Sequence, residues 1–305
     1  VRREALRQIV AGWKHQPGIL DLLKQRVVSD DDSDVRREAV RQIANGWKHQ
    51  PGILDLLKQR VVSESDWYVR VEVLRQIATA WKYQTGIFDL LKQRVVSDID
   101  PNVRREAVRQ IANGWKHQPG IFDLLKQRVM SDENWDVRCE AVRQIVTVWK
   151  QEPGILDLLK QWVKFCDYMD VRGEALRQIA TGWKHQPEIF DLLKQTLESD
   201  HSSSVRGEAL RQIAIGWKYQ PETFELFYHT ALNDPFQDEG HWKDNPRQIA
   251  LGTIVKQYPD YPQTILLLQD RVANDPDEQL RDWTKKKLQR LENSLCENIQ
   301  MKSKL

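Results

Sequence analysis

Hydrophobic residues in this chain recur at steps of three and four, the spacing that places them on one face of an α-helix. From Val35 onwards the first such stripe predicts an amphipathic helix, here called helix A, formed by Val35, Ala39, Val40, Ile43, Ala44 and Trp47. A second stripe predicts helix B, from about Pro51 to Val62, formed by Ile53, Leu54, Leu56, Leu57 and Val61. Pro51 cannot continue helix A, but it fits the first turn of a new helix, where an N–H would be unpaired anyway. The two stripes therefore predict two antiparallel helices joined by a short turn.

The same two-helix pattern returns every 34 residues. Its copies begin at Val1, Val35, Val69, Val103, Val137, Val171 and Val205. A unit of this size cannot bury its apolar face alone, so neighbouring units must stack. We predict an all-α fold, a right-handed α-solenoid (superhelix) of tandem 34-residue antiparallel helix pairs. Seven repeats are expected over residues 1–234, followed by a divergent C-terminal repeat and a capping helix over residues 235–305.

Helix start signals recur in the loops between repeats. Asp100 is placed to cap a helix that begins at Pro101, because its carboxylate accepts from the free N–H groups of the first turn. The same slot holds Asp32, Asp66 and Ser202. We expect the caps to recur along the array.

The pattern weakens past Leu232 without disappearing. Residues 247–250 keep the helix A sequence Arg-Gln-Ile-Ala, and Pro262 is placed to open a helix B. Polar residues 284–290 are expected to form a final helix that covers the last exposed apolar face.

Composition and charge narrow the classes of function. The 305 residues carry 46 Lys plus Arg against 44 Asp plus Glu, a net charge of +2, which does not supply the clustered basic groups that bind nucleic acid non-specifically. No apolar run is long enough for a transmembrane helix.

Cys139, Cys166 and Cys296 share no ligand spacing and are expected to be free thiols in a reducing cytoplasm. The chain begins at the first residue of a repeat, without Met or a signal peptide, so further sequence is expected upstream.

Several polar and aromatic residues recur at one repeat position each. The tryptophan near the end of each helix A is expected in the core, at Trp13, Trp47, Trp81, Trp115, Trp149, Trp183 and Trp217. The arginine in the second repeat position is expected to pair with the acidic loop of the neighbouring repeat, at Arg36, Arg70, Arg104, Arg138, Arg172 and Arg206. A mid-helix arginine is expected on a solvated face, at Arg7, Arg41, Arg75, Arg109, Arg143, Arg177 and Arg211. The turn histidines are expected to be solvated rather than metal ligands, at His15, His49, His117 and His185.

The internal pattern of the repeat resembles a known family. A period of 34 residues is also that of the tetratricopeptide repeat, but here Pro opens the second helix and the first contains VRREAVRQIA. The order of an Asp-rich loop, Val-Arg, Glu-Ala and a Leu or Val with Ile three residues later resembles HEAT and HEAT-like repeats.

The core GWKHQPGILDLLKQRV and the tail NDPDEQLRDWTKKKL are similar to HEAT-like arrays at the C-terminal end of bacterial NACHT-type STAND NTPases. That resemblance implies a C-terminal sensor region, often linked to antiphage defence. No phosphate loop is present in this sequence, so ATP binding is not transferred to it.

Two groups of residues are candidates for partner binding. In a HEAT-like solenoid helix B usually lines the concave surface, so a lysine row is expected there, at Lys24, Lys58, Lys92, Lys126, Lys160 and Lys194. Aromatic residues replace the usual repeat residues at Trp67, Tyr68, Trp135, Trp162 and Tyr168, where exposed rings on a rigid frame would anchor a partner or else fill gaps between helix pairs.

The expected function is a non-catalytic protein-interaction or ligand-sensing scaffold in the cytoplasm. Its partner would be a protein ligand or upstream domains of the same polypeptide, and no catalytic residue, cofactor or metal site is expected. One alternative is a nucleic-acid-binding HEAT-like solenoid that uses the lysine row. The other is an accessory protein of the bilin-lyase type, which also uses HEAT-like repeats.

Overall fold

The computed structural model describes residues 1–237 and 245–302, with side chains described as far as residue 293. The chain divides into two compact units, Val1–Glu152 and Pro153–Leu305. In the described residues every regular element is a helix, as the hydrophobic periodicity predicts. The expected boundary between residues 234 and 235 remains a prediction.

The first unit alternates the two predicted helices. Its helices are α1 Arg2–Trp13, α2 Ile19–Ser29, α3 Ser33–Trp47, α4 Ile53–Ser63, α5 Trp67–Ala80, α6 Ile87–Ser97, α7 Pro101–Trp115, α8 Ile121–Ser131 and α9 Trp135–Trp149. Each helix A packs on the next helix A, and each helix B packs on the helix A that follows it. The apolar stripes are buried at these contacts, with Ile43 of α3 and Leu57 of α4 fully removed from solvent. The unit is thus a stack of helix pairs whose core lies between neighbouring repeats.

Helix B starts two residues later than expected. The predicted first residue, Pro51, lies in the turn, and α4 begins at Ile53. The cause is Gly52, whose φ of 79° and ψ of −8° are those of the third residue of a type II turn with proline in second place. The Ile53 N–H donates to the Gln50 carbonyl at 3.4 Å and closes this turn. The prediction from Pro51 was wrong because it ignored the glycine that follows.

The second unit continues the same alternation. Its helices are α10 Ile155–Phe165, α11 Met169–Gly182, α12 Glu188–Ser199, α13 Ser203–Gly216, α14 Thr223–Asn233, α15 Pro246–Gln257, α16 Pro262–Asn274 and α17 Glu278–Lys302. Pro262 opens α16 and residues 247–250 lie in α15, so the two helix positions expected in the tail are helical, while the assignment of the tail as a divergent repeat stays a prediction. Residues 284–290 are helical as expected, within the longer α17. Glu188 replaces the turn glycine, and α12 starts at that residue from Pro187 in the right-handed helical region.

The predicted caps form at the aspartates. Asp32 accepts from the N–H of Asp34, Asp66 from those of Tyr68 and Val69, and Asp100 from that of Asn102. Ser202 makes no side-chain cap hydrogen bond, so the prediction is wrong there. Within the described residues, no helix is both long and apolar enough to cross a membrane.

Candidate protein-binding surface

A ladder of ion pairs joins the loops of neighbouring repeats, as the recurring arginines predict. Arg70 donates from Nη2 to Asp98 at 3.2 Å, and its Nη1 donates to the carbonyls of Glu64 and Ser65. One guanidinium therefore ties its own loop to the next. The corresponding pairs are Arg36–Glu64, Arg70–Asp98 and Arg104–Asp132 in the first unit, and Arg172–Asp200, Arg206–Asp234 and Arg247–Asp275 in the second.

A second ladder runs along the row of helices A, where a solvated face was expected. Arg41 donates to the buried carboxylate of Glu72 in the next repeat at 2.6 Å. Gln76 donates to the same carboxylate at 2.8 Å. The prediction of a solvated face holds in part, because the mid-helix arginine side chains are 32% to 44% exposed. It missed the buried glutamate of the next repeat, which lies under the guanidinium in the helix-to-helix contact. Equivalent pairs are Arg7–Glu38, Arg41–Glu72, Arg75–Glu106 and Arg109–Glu140 in the first unit, and Arg177–Glu208 in the second.

The pKa of the buried glutamates is set by opposing effects. Burial raises the pKa of Glu72, but the hydrogen bonds from Arg41 and Gln76 outweigh it and hold the pKa below its usual range. The pKa values of Glu38 and Glu140 are lowered in the same way, by their Arg and Gln partners against burial. These carboxylates are therefore charged at neutral pH, and each one links two repeats.

Both ladders fix neighbouring repeats in one register, so equivalent side chains form rows along two edges of the first unit. The loop edge comprises the end of each helix B, the inter-repeat loop and the start of each helix A, at residues 28–34, 62–68, 96–102 and 130–136. The turn edge comprises the turns inside the repeats, at residues 13–18, 47–52, 81–86 and 115–120.

The loop edge carries the predicted aromatic residues of the first unit. Trp67 and Trp135 are the first residues of α5 and α9, with exposed fractions of 40% and 56%. Tyr68 is also exposed, and Arg37 lies 3.4 Å above its ring centroid. In the equivalent place of another repeat, Arg105 lies 3.7 Å from Asp136, so a cation–π contact replaces a salt bridge at Tyr68.

The loop edge also carries exposed aliphatic residues that sequence analysis did not single out. A large apolar side chain ends the outer face of helix B in each repeat, at Val28, Val62, Val96 and Met130. Ile99, in the loop after α6, is 90% exposed. The signal was present in the sequence as the second residue of each Val-Val or Val-Met pair, since only one member of such a pair reaches the buried stripe.

At Trp162 the structure favours the second alternative, a ring that fills a gap, over an exposed anchor. This side chain, on α10 of the second unit, is 7% exposed. It occupies the position of Arg60 and Arg94 in earlier repeats, which pair with the loop carboxylates Glu64 and Asp98, and the corresponding loop residue here is Cys166. Arginine and acid are thus replaced together by an indole and a thiol, which allows the indole to be buried.

The other exceptions in the second unit lie near the start of α11. Tyr168 precedes this helix and is partly exposed, and Phe165 is more exposed still. Cys139 and Cys166 are free and buried, and burial raises the pKa of the Cys166 thiol. Cys296 lies outside the described side chains.

The lysine row on helix B is half-buried or exposed, and much of it is neutralised by acids. Lys126 lies 2.9 Å from Asp123 on its own helix, and Lys194 lies 2.8 Å from Glu222. Lys24 and Lys160 lie near Asp21 and Glu188, at 3.7 and 3.6 Å. Lys58 donates to the carbonyl of Thr85 at 3.4 Å, and Lys92 lies 5.9 Å from the ring centroid of Phe88. This row is therefore not the bare cationic stripe that phosphate binding requires.

The tryptophan row is only partly in the core. Trp81 and Trp217 are buried, Trp47 and Trp115 are half-buried, and Trp13 is 56% exposed. The rings lie at the rim of the stack because helix A ends there. The turn histidines are exposed, and the described residues contain no group of three or more His, Cys, Asp or Glu side chains placed to hold a metal ion.

Comparisons with known proteins agree with this architecture. A family model for HEAT repeats matches residues 88–167. Its fold is similar to that of Kap121p bound to Pho4p, with a TM-score of 0.52 and 15% identity over 89% of this chain and 32% of that chain. A second structure, the karyopherin Kap121p bound to the extreme C-terminus of the protein phosphatase Cdc14p, gives a TM-score of 0.50 and 12% identity over 92% and 34%.

The chain thus spans about a third of the length of Kap121p, and at these identities the likeness concerns the fold alone. No curated protein matches the sequence. The expectation of a HEAT-like α-solenoid is confirmed. None of the matches described here is a NACHT or STAND NTPase or a catalytic family.

Proposed function

We propose that this chain is a protein-binding scaffold and that the loop edge of its first unit contacts the partner. The observation that carries the proposal is the set of exposed rings at Trp67, Tyr68 and Trp135, held at the starts of helices whose register the two ion-pair ladders fix. Aromatic side chains bury a large area at a small entropic cost, which is why they dominate the binding energy of interfaces.

The neighbouring aliphatic residues extend this surface. Val62 lies near the end of α4, shortly before Trp67, and Val96 lies near the end of α6, shortly before Ile99 in the loop that follows. An apolar surface with charged residues around it is typical of a protein interface. Kap121p, which is similar in fold, is bound to Pho4p in one structure and to the extreme C-terminus of Cdc14p in the other, which supports protein binding as a use of such a solenoid.

The sequence resemblance extends the proposal to a sensor role. In that form the chain is the C-terminal sensor of a NACHT-type STAND NTPase that acts in antiphage defence, and partner binding is passed to upstream domains. Nucleic-acid binding by the lysine row is not favoured, because acidic neighbours neutralise much of that row.

Site-specific photo-crosslinking tests the proposal. A benzophenone amino acid is placed at Trp135, and in a control chain at Tyr219, an exposed turn residue of the second unit. We expect one protein to be captured from Trp135 and not from Tyr219. Equal capture from both positions contradicts the proposal.

The captured protein is then purified and its affinity is measured. Replacing Trp67 and Trp135 together with alanine is expected to weaken binding by at least about tenfold, or about 1.4 kcal/mol. Trp13→Ala is the matched control, since Trp13 is exposed to the same extent as Trp135, at 56%, but lies on the turn edge. An unchanged affinity in the double variant would remove the loop edge from the function.

A further inference from the structure

We propose that the turn edge of the first unit binds an extended acidic segment of a protein, with a row of lysines holding its carboxylates. One lysine recurs in each turn directly after the tryptophan, at Lys14, Lys48, Lys82 and Lys116. This surface is separate from the loop edge and does not depend on what the loop edge binds.

The charge of the turn lysines is not compensated. In the residues that the structure describes, no carboxylate oxygen lies within 4 Å of the ammonium groups of Lys14, Lys48, Lys82 and Lys116, whereas Lys126 of the helix B row has such a partner at 2.9 Å. Four repeats therefore present four free cations on one edge. Anionic groups are the complementary ligands.

Two of these lysines are held in place by the next repeat. Lys14 Nζ lies 5.7 Å from the ring centroid of Trp47, and Lys82 Nζ lies 5.9 Å from that of Trp115. A glycine beside each ring leaves room for the lysine stem. At Gly46 a Cβ atom would lie 3.2 Å from Lys14 Cε. The ammonium groups are thus positioned along the edge at a step set by the repeat.

Clefts between successive turns provide space for a chain. One cleft of about 500 Å³ is lined by Lys82, Tyr83, Phe88, Trp115 and Gln118, among others. Another, of about 770 Å³, lies between the first turn and α3 and is lined by Trp13, Lys14 and Gln16. Glu4 also lines it, and that carboxylate is paired with Arg7 at 3.5 Å. Each cleft thus combines a cation, an aromatic wall and an amide.

The amide row identifies a polypeptide as the occupant. A glutamine two residues after each lysine has an exposed side chain that makes no hydrogen bond within the described residues, at Gln16, Gln50, Gln84 and Gln118. A primary amide donates and accepts at once, which matches the N–H and C=O groups of a peptide backbone. Neighbouring helix pairs are spaced by about 10 Å. Because an extended chain rises about 3.3 Å per residue, every third residue would face a lysine.

Nucleic acid fits the same edge less well. Duplex DNA carries one charge per about 1.7 Å of axis, and its binding energy comes from dense cation clusters. Four lysines about 10 Å apart do not form such a cluster. The edge therefore matches a chain with spaced carboxylates.

Fluorescence anisotropy with a designed probe tests the proposal. The probe is a labelled peptide of about 15 residues with Glu at every third position and Gly or Ser between, titrated with the full chain at low salt. The K14Q/K48Q/K82Q/K116Q variant is expected to bind at least about tenfold more weakly. The control K24Q/K58Q/K92Q/K126Q removes the same charge from the same four repeats. Because Lys58 donates to the carbonyl of Thr85 in a turn, the control is expected to weaken binding by up to about threefold, clearly less than the turn variant.

Two controls keep the test decisive even if the glutamine variant does not fold. The variant with arginine at the four turn positions keeps the charge and is expected to retain binding. A peptide with Gln in place of Glu is expected to lose binding to the unaltered chain. No binding by the unaltered chain, or an equal loss in both glutamine variants, overturns the proposal. An oligothymidine of similar length that binds more tightly than the peptide and displaces it also overturns the proposal.

Discussion

A buried glutamate in every helix A from α3 to α13 does more than its place in the sequence suggests. Glu72 is 1% exposed, yet it is ionised because Arg41 of the preceding repeat and Gln76 of its own helix both donate to it. Breaking such a pair leaves a charge in a poorly solvated place, which costs more than the pair itself contributes. The residue therefore acts as a joint between repeats.

Acid is expected to loosen these joints. The pKa values of Glu38, Glu72 and Glu140 lie below their usual range in the folded chain. Their stabilisation is therefore fully present above the unfolded value of about 4.3 and is lost as the pH falls through the lower folded values. The urea concentration at the unfolding midpoint, measured from pH 7 downwards, is expected to decrease once the pH is lower than about 4.3. The decrease is expected to be less steep in Glu72→Gln. Midpoints that stay constant across that window contradict this account.

The two tryptophans that interrupt the repeat pattern are expected to behave differently. Trp162→Ala removes a buried ring and is expected to lower the free energy of unfolding by about 3 kcal/mol. Trp135→Ala removes an exposed ring and is expected to change it by less than about 0.5 kcal/mol. Denaturant titration of both variants measures this contrast. Equal losses would mean that Trp135 is also part of the core.

At the scale of the helix pair, the turn decides where helix B begins. In the first unit the glycines before helix B, Gly18, Gly52, Gly86 and Gly120, all have φ between 79° and 87°, after proline in three turns and after Thr85 in the other. Where glutamate stands in place of glycine, the helix begins at that residue in one repeat, at Glu188, and one residue later in the next, at Thr223. The left-handed turn therefore depends on glycine, whereas the start of helix B varies by one residue without it.

Glycine replacement separates backbone strain from packing. Gly52→Ala meets no atom within 4 Å, so its expected cost of about 1 kcal/mol comes from the left-handed backbone alone. Gly12→Ala also meets no atom but lies in α1, and it is expected to be neutral or to stabilise the chain by about 0.5 kcal/mol. The thermal unfolding temperature is therefore expected to fall in Gly52→Ala and to rise or stay unchanged in Gly12→Ala. A stabilising Gly52→Ala would contradict the turn assignment.

At the scale of the whole molecule, periodicity predicted most of the fold and less of the surface. The 34-residue period and the two apolar stripes gave the helix pairs, and the acidic loops gave the Arg70–Asp98 type of pair. The Arg41–Glu72 ladder was missed because a repeating charge looks the same whether its face meets solvent or the next helix. The sequence left the burial of Trp162 open between two alternatives, since it depends on a simultaneous change at Cys166. Partner identity is not encoded in a pattern that serves stacking.

The rows of equivalent residues on the two edges depend on neighbouring repeats being coupled through the helix A ladder. A double-mutant cycle on Arg75 and Glu106, which share hydrogen bonds of 3.1 and 2.9 Å, measures that coupling directly. With Arg75→Ala and Glu106→Gln, denaturant unfolding is expected to give an interaction energy of about 1 to 2 kcal/mol. The control cycle of Arg75→Ala with Asp89→Asn, an exposed residue of α6, is expected to be additive. Additivity within about 0.3 kcal/mol for Arg75 and Glu106 would contradict the ladder, and with it the rows of equivalent residues on both edges.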